Sequence, residues 1–182
     1  MNKMERQVNI VLYEPEIAQN VAAIIRTCVA TNAKLHIIEP LGFIFKKEEM
    51  NRASAGTFDL VEYQLYDDWE DFCEKNPSID LFCISRYGEK PHSDFDFNSY
   101  QKPVFVMFGK ESTGIPKQII KDNYENTFRL PMSPQTRSIN VANTVGIVTY
   151  EILRQWDYPT LSKTEVQKGK DYIMSERWKD EK

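Results

Sequence analysis

Three polar segments of this sequence contain residues whose types and spacing could perform chemistry. They are Glu14–Asn20, Phe108–Pro116 and Leu130–Asn143, and each of them borders a short apolar run. The second segment has two glycines five positions apart, as a P-loop does, but Ile115 and Pro116 replace the Lys-Ser/Thr pair that reaches phosphate. No G-x-G sequence occurs in the chain either. The sequence therefore argues against a nucleoside-triphosphate enzyme and against an ordinary Rossmann dehydrogenase.

The second and third segments keep groups that suit a ligand of another kind. The glycines permit a tight loop that exposes backbone amides and one carboxylate, Glu111. In the third segment Arg137, Ser138 and Asn143 surround Asn140, a good N-cap for the helix that follows. Hydroxyl and amide groups near a helix N-terminus suit anionic or carbonyl-rich ligands. We therefore expect a binding site where these loops meet.

The first segment leads into an amphipathic helix that carries one notable arginine. Asn20 is the predicted N-cap of this helix. Its apolar residues recur at helical spacing, at Val21, Ile24, Ile25, Cys28 and Val29. Arg26 lies about 130° from the centre of this apolar stripe on a helical wheel. It therefore faces away from the core, and for the helix alone a solvated arginine is the simplest interpretation.

Alternating strands and helices position the three segments. The predicted strands are Val8–Tyr13, Lys34–Ile38, Leu60–Tyr63, Leu81–Ser85, Val104–Phe108 and Thr127–Leu130. Helices are predicted after Asn20, from Pro116, and from Asn140 to about Trp156. Another is predicted to follow the capping-box spacing of Asp67-Asp68-Trp69-Glu70 and to end near Lys75. This alternation predicts an α/β domain on a mostly parallel sheet with flanking helices, whose strand ends and following loops carry the ligands.

Composition limits the class of protein further. The 182 residues carry a net charge of −4, with 41% hydrophobic and 27% charged residues, which predicts a globular domain over residues 1–160. The charged tail, residues 161–182, has Ser162 and Glu165 at capping-box spacing and is predicted to form a surface helix. No apolar run approaches the roughly 20 residues of a membrane span, and the N-terminus is polar, so we expect a cytoplasmic protein without membrane contact.

Cysteine and histidine usage argues against a disulfide framework and a metal site. The three cysteines are odd in number and lack C-x-x-C spacing, so we expect reduced core residues; they are Cys28, Cys73 and Cys83. The two histidines, His36 and His92, are too few for a metal cluster. We therefore expect catalysis without a metal.

The order and spacing of the three segments resemble the SpoU branch of the SPOUT RNA 2′-O-methyltransferases. The matching residues are Asn20 with Arg26, then Gly109-x-Glu111-x-x-Gly114-Ile115-Pro116, then Arg137-Ser138-Ile139-Asn140-x-x-Asn143. Up to about Tyr158 the chain is similar to small single-domain members that methylate the wobble nucleotide, position 34, of tRNA. Two segments depart from the usual patterns, Val21-Ala22-Ala23 and Arg52-Ala53-Ser54-Ala55-Gly56-Thr57.

The resemblance implies a cofactor, a partner and an assembly. It implies that S-adenosylmethionine is bound in a deep C-terminal trefoil knot and leaves as S-adenosylhomocysteine, and that tRNA is the substrate. It also implies a homodimer with the active site at the subunit interface. Cofactor-binding positions carried over from the family are Ile84, Gly109, Leu130, Ser138 and Asn140.

The same resemblance assigns catalytic and RNA-binding roles. The implied catalytic set is Arg26, Asn20, Glu111, Ser138 and Asn143, and the implied RNA contacts are Arg26, Arg137 and Arg52. Two alternatives stay open. One is a SpoU enzyme that methylates another ribose in tRNA or rRNA. The other is a knotted protein that binds RNA or cofactor without turnover.

Overall fold

Seven parallel strands form one sheet, flanked by helices on both faces, in the computed structural model, which describes residues 6–180. The strands are β1 Val8–Tyr13, β2 Lys34–Ile38, β3 Tyr63–Tyr66, β4 Leu81–Ile84, β5 Lys90–Pro91, β6 Val104–Phe108 and β7 Thr127–Arg129. The helices are α1 Ala18–Thr31, α2 Lys47–Ala53, α3 Trp69–Lys75, α4 Lys117–Asp122 and α5 Val141–Gln155. The strand order is β3-β2-β1-β6-β4-β7-β5, and the paired strands run parallel. The predicted α/β architecture is confirmed.

Both faces of the sheet are covered, which explains why its central strands are almost continuously apolar. On one face α1 and α5 pack on Ile10, Leu12 and Val106, and α2 adds Met50. On the other face α3 and α4 cover a second cluster that includes Val11 and Met107. The predicted apolar stripe on α1 therefore faces the sheet.

Several element boundaries agree with the sequence prediction, and β3 does not. Strands β1, β2 and β6 have the predicted limits, whereas residues Phe58–Leu60 form a 3-10 turn and β3 begins only at Tyr63. Leu60 is exposed, and Tyr63 pairs with Leu35 of β2. Pairing with β2, rather than local apolar content, sets where this strand begins. The strand β5 and the helix α2 are absent from the sequence prediction.

The predicted helix of the tail is wrong for the part of the chain that the structure describes. Residues 161–180 form turns and one 3-10 turn, Arg177–Asp180. The Ser162 hydroxyl accepts from Thr164 N, and the Glu165 carboxylate accepts from the amides of Gln167 and Lys168. These groups close local turns instead of a helix start, and Gly169 then has a φ of +90°. Residues 181–182, also included in the prediction, lie outside the described residues.

One cysteine prediction also fails. Cys28 and Cys83 are buried and unpaired, as expected, but Cys73 on α3 is exposed. Helix α3 buries Phe72, so its neighbour Cys73 points to another side of the helix. Among the described helices, none is both long enough and apolar enough to cross a membrane.

A buried polar chain links the three strands at one side of the sheet. The His36 Nε2 atom lies 3.1 Å from Asn9 Oδ1, and its Nδ1 lies 2.7 Å from the Tyr66 hydroxyl. Because the Asn9 carbonyl oxygen only accepts, Nε2 carries the proton and Nδ1 accepts from Tyr66. Burial lowers the pKa of His36 from 6.5 to about 4, so the ring is neutral in the folded protein.

We predict that His36 makes stability depend on pH below 6.5. Between pH 6.5 and about 4 the unfolded chain binds a proton that the folded chain excludes, so the free energy of unfolding falls as the pH falls. The loss is about 1.4 kcal/mol per pH unit, or about 2 kcal/mol at pH 5.0 relative to pH 7.5. Urea unfolding of the wild type and of His36→Gln at both pH values measures it. Equal losses in the two proteins would contradict this assignment.

Candidate active site

Three of the positions that the family resemblance assigns to the cofactor lie at the carboxyl ends of neighbouring strands. Ile84 ends β4, Gly109 follows β6, and Leu130 follows β7. Strand β4 lies between β6 and β7, and parallel strands present their carboxyl ends at one edge. A cavity of about 740 Å³ opens at this edge, a volume within the usual range of ligand sites.

The cavity gathers most of the predicted site residues. Eight of them line it, namely Asn20, Ile84, Gly109, Glu111, Leu130, Arg137, Ser138 and Asn140. The three that do not line it are Arg26, Arg52 and Asn143. Asn143 lies on the exposed side of α5, and only its backbone N–H turns toward the site, where it donates to the side chain of Asn140 at 3.3 Å.

Asn20 does not cap α1. The helix begins at Ala18 with Ile17 at the N-cap position, so Asn20 lies inside the first turn and is buried. Its amide nitrogen donates to Glu111 Oε1 at 2.8 Å, and its Oδ1 accepts from Asn140 Nδ2 at 3.0 Å. The predicted capping role is wrong because the side chain bonds across to the other two loops instead.

Glu111 joins the first and second segments. Its second oxygen, Oε2, accepts from the backbone N–H of Glu16 at 2.8 Å. In return, the Glu16 carboxylate accepts from the backbone N–H of Ser112 at 2.8 Å and from the Ser112 hydroxyl at 2.7 Å. These hydrogen bonds lower the pKa of Glu16. Each of the two loops, after β1 and after β6, thus contributes a carboxylate that accepts hydrogen bonds from the other loop. Lys110 adds an ion pair with Glu14.

Asn140 ties the third segment to the same network. Its Oδ1 accepts from the N–H groups of Ala142 at 2.9 Å and Asn143 at 3.3 Å, which confirms the predicted N-cap of α5. Its Nδ2 is the donor to Asn20. Ser138 and Arg137 precede the cap on an exposed stretch of the cavity wall.

Gly109 permits the close turn that shapes the cavity. A Cβ atom at this position would lie 2.1 Å from the carbonyl carbon of Gly114, a distance that no side chain tolerates. Gly114 in turn has a φ of +75°, in the region that favours glycine. Its N–H donates to Lys110 O at 2.9 Å and closes the loop.

The cavity wall is basic although the chain is acidic. Five cations line it, Arg86, Lys110, Lys117, Arg129 and Arg137, whereas the only carboxylate in the lining is Glu111. Of these cations, only Arg137 is among the site residues that the family resemblance implies. The signal that could have found Arg86 and Arg129 is their position at the carboxyl ends of β4 and β7.

Two of the predicted RNA contacts lie elsewhere on the surface. Arg26 is exposed on α1, as its helical-wheel position predicts, and Arg52 is exposed on α2. Asn20 and Arg26 are six residues apart, which places their side chains about 120° apart around the helix axis. Helix α1 therefore presents Asn20 to the cavity and Arg26 to solvent.

We predict that Glu111→Gln destabilises the protein through the loop network. A glutamine keeps one acceptor oxygen, but its NH2 group would face either Glu16 N–H or the Asn20 amide, and one donor would lose its partner. The free energy of unfolding should fall by about 1–3 kcal/mol in urea titrations. The control is Glu48→Gln, which changes an exposed carboxylate on α2. Equal effects of the two substitutions would show that the network does not stabilise the fold.

Known proteins are similar to this chain in sequence and in fold. The profile of the SpoU rRNA methylase family matches residues 7–150. A tRNA (cytidine(34)-2′-O)-methyltransferase of Escherichia coli is 39% identical over 153 residues, which cover 84% of this chain and 96% of that protein. A solved structure from Bacillus anthracis is 40% identical, with a TM-score of 0.81, and the match covers 87% of this chain and 99% of the other.

A second solved structure is also similar. It is described as giving structural insights into the 2-OH methylation of C/U34 on tRNA, and it is 32% identical with a TM-score of 0.77. The match covers 84% of this chain and 97% of the other. With this agreement in sequence, fold and loop residues, the chain belongs to the SpoU rRNA methylase family.

Proposed function

We propose that this protein transfers a methyl group from S-adenosylmethionine to the ribose 2′-hydroxyl of nucleotide 34 of tRNA, a cytidine or modified uridine, in the cytoplasm. The observation that carries this proposal is the convergence of the three SpoU segments on one cavity through Glu111, Asn20 and Asn140. Relatives 39% and 32% identical to this chain are described as acting on position 34 of tRNA.

The cavity suits the cofactor in size and in the groups that line it. Backbone groups at Ile84, Gly109 and Leu130 meet at one sheet edge, and they would hold the cofactor together with Ser138 and Asn140. The absence of a side chain at Gly109 lets the backbone of Gly114 pack directly against it, and this contact closes the loop that forms part of the cavity wall. S-Adenosylmethionine supplies the methyl group and leaves as S-adenosylhomocysteine.

The hydrogen-bond network supports positioning roles for Glu111 and Asn20. Both Glu111 oxygens already accept hydrogen bonds, and both functional groups of the Asn20 amide are engaged. These two residues therefore fix the loops, and Ser138 and Arg137 are left to face the ligands. Methyl transfer requires the 2′-hydroxyl to be held in line at near-attack distance, so rigid loops favour it. No metal takes part in the proposed reaction.

Arg26 can take part in the proposed reaction only if a second copy of the chain brings it to a cavity. It does not line the cavity of its own chain, and it lies on the exposed side of α1. On α5, which packs beside α1, Ile147 and Tyr150 are also exposed, by 43% and 48%. We propose a homodimer formed through this helical face, in which Arg26 of each subunit approaches RNA at the cavity of the other.

The chemistry of arginine defines what Arg26 can do there. A guanidinium group stays protonated at neutral pH and is a poor proton acceptor. Its planar fork can clamp a phosphate with two hydrogen bonds and stabilise the negative charge that develops on the 2′-oxygen. We therefore assign Arg26 to phosphate and oxyanion binding.

The path of the chain after β7 supports the family's knotted topology. Strand β7 lies near one edge of the sheet, between β4 and β5, yet α5 returns to pack on α1 and β1. A deep trefoil knot formed by this return, within a methyltransferase domain of residues 1–160, is part of the proposal. Leu161 packs at the margin of the core, and the tail begins there.

We predict that the protein places labelled methyl groups on nucleotide 34. Incubation with labelled S-adenosylmethionine and bulk tRNA, followed by digestion and mass spectrometry, should yield a 2′-O-methylated pyrimidine from that position. Label on another nucleotide of tRNA would support a sibling activity, which the departure at Arg52–Thr57 keeps open. Cofactor binding without any transfer of label would instead indicate a binding protein.

We predict that Arg26→Lys lowers the single-turnover rate by about tenfold or more, although the positive charge is kept. Lysine cannot form the two parallel hydrogen bonds of a guanidinium to a phosphate. Arg154→Lys is the matched control, because Arg154 is also an exposed helical arginine and pairs with Glu151. A near-normal rate in Arg26→Lys would show that the planar fork is not needed.

A further inference from the structure

The turn after β4 holds an exposed tyrosine beside two cations at the cavity. The Tyr87 side chain is 46% exposed. Lys117 Nζ lies 4.6 Å from the centroid of its ring, and the guanidinium carbon of Arg86 lies 5.3 Å from it. All three residues line the same cavity as the cofactor loops. The motif residues of the SpoU family account for none of them.

The turn that carries Tyr87 is fastened to the sheet. The N–H of Ser85 donates to Phe128 O in β7 at 3.0 Å, and the N–H of Gly88 donates to Ser85 O at 3.1 Å. Arg86 and Tyr87 therefore occupy the two central positions of a tight turn. A Cβ atom at Gly88 would lie 2.6 Å from the carbonyl carbon of Phe128, so glycine is needed for this close approach. The ring is thus presented from a fixed strand end.

The cations around the ring are not neutralised by carboxylates. Across residues 6–180, Arg86, Lys117 and Arg129 form no ion pair within 4.0 Å, whereas Lys110 pairs with Glu14. An aromatic ring among unpaired cations is the combination with which proteins bind unpaired nucleotides, because the base stacks on the ring and the phosphates meet the charges. The sulfonium of the cofactor is itself positive, so these cations favour RNA over the cofactor as the ligand.

We propose that Tyr87, with Arg86 and Lys117, binds an unpaired nucleotide of the RNA substrate. The base stacks on the Tyr87 ring, and the flanking phosphates contact the two cations. This inference rests on the proposed function, since it places the stacked nucleotide next to the ribose that receives the methyl group. The cavity then has two parts, with the cofactor on the glycine loops and RNA at the basic rim.

Substitution of Tyr87 tests the stacking. Tyr87→Leu removes the ring and keeps an apolar side chain, and it should raise the Kd for bulk tRNA about tenfold, whereas Tyr87→Phe should stay within about twofold of wild type. The Kd for S-adenosylmethionine, measured by calorimetry, should not change in either variant. Tyr124→Leu is the matched control, because Tyr124 is 43% exposed and lies outside the cavity lining.

The results separate this inference from the proposed function. Unchanged tRNA affinity in Tyr87→Leu would overturn the stacking site. A loss of cofactor affinity alone would also overturn it, because the ring would then contact the cofactor and not RNA. Wild-type protein that transfers no methyl group would refute the proposed function. The comparison of tRNA affinities would still test the stacking site.

Salt dependence tests the phosphate contact of Lys117. Its replacement in Lys117→Gln should reduce the slope of log Kd for tRNA against log salt concentration by about 0.7, the value for one phosphate contact on a single strand. Lys121→Gln is the control, because Lys121 is exposed on the same helix, α4, outside the cavity lining. Identical slopes for Lys117→Gln and wild type would overturn the role of this lysine.

Discussion

The rest of the site depends on the two hydrogen bonds accepted by the Glu111 carboxylate. One comes from the backbone of Glu16 and the other from the side chain of Asn20, which also accepts from Asn140. Loops that are far apart in the chain are thereby fixed against one another. A charged acceptor with two donors makes hydrogen bonds stronger than neutral ones, and connected bonds reinforce each other in a partly buried setting. The network consequently fixes the positions of the loops that shape the cavity.

The parallel sheet explains why this network forms at one place. All seven strands present their carboxyl ends at the same edge, so the loops after β1, β4, β6 and β7 must come together. The helices cover both faces of the sheet and leave this edge as the place where polar loops collect. Gly88 in the loop after β4 and Gly109 in the loop after β6 let these loops approach neighbouring backbone atoms more closely than any side chain permits.

The charge distribution follows from the same geometry. A net charge of −4 describes the whole chain, but the cavity is lined by five cations and a single carboxylate that is itself engaged in hydrogen bonds. A local positive field attracts an anionic polymer even when the average charge is negative. Arg26 on α1 and Ile147 and Tyr150 on α5 are exposed and lie outside this cavity lining, and the proposed second subunit would bind there.

The sequence by itself determined the features that depend on neighbours in the chain. Short apolar runs predicted the strands β1, β2 and β6, helical periodicity predicted the buried stripe of α1 and the outward direction of Arg26, and residue type predicted the cap at Asn140. Only the tertiary structure decided the role of Asn20, the start of β3, the turns of the tail, and the grouping of Arg86, Tyr87 and Lys117. These features depend on strand order and on contacts between distant residues. Local spacing carries no information about such contacts, because they arise only when the sheet is assembled.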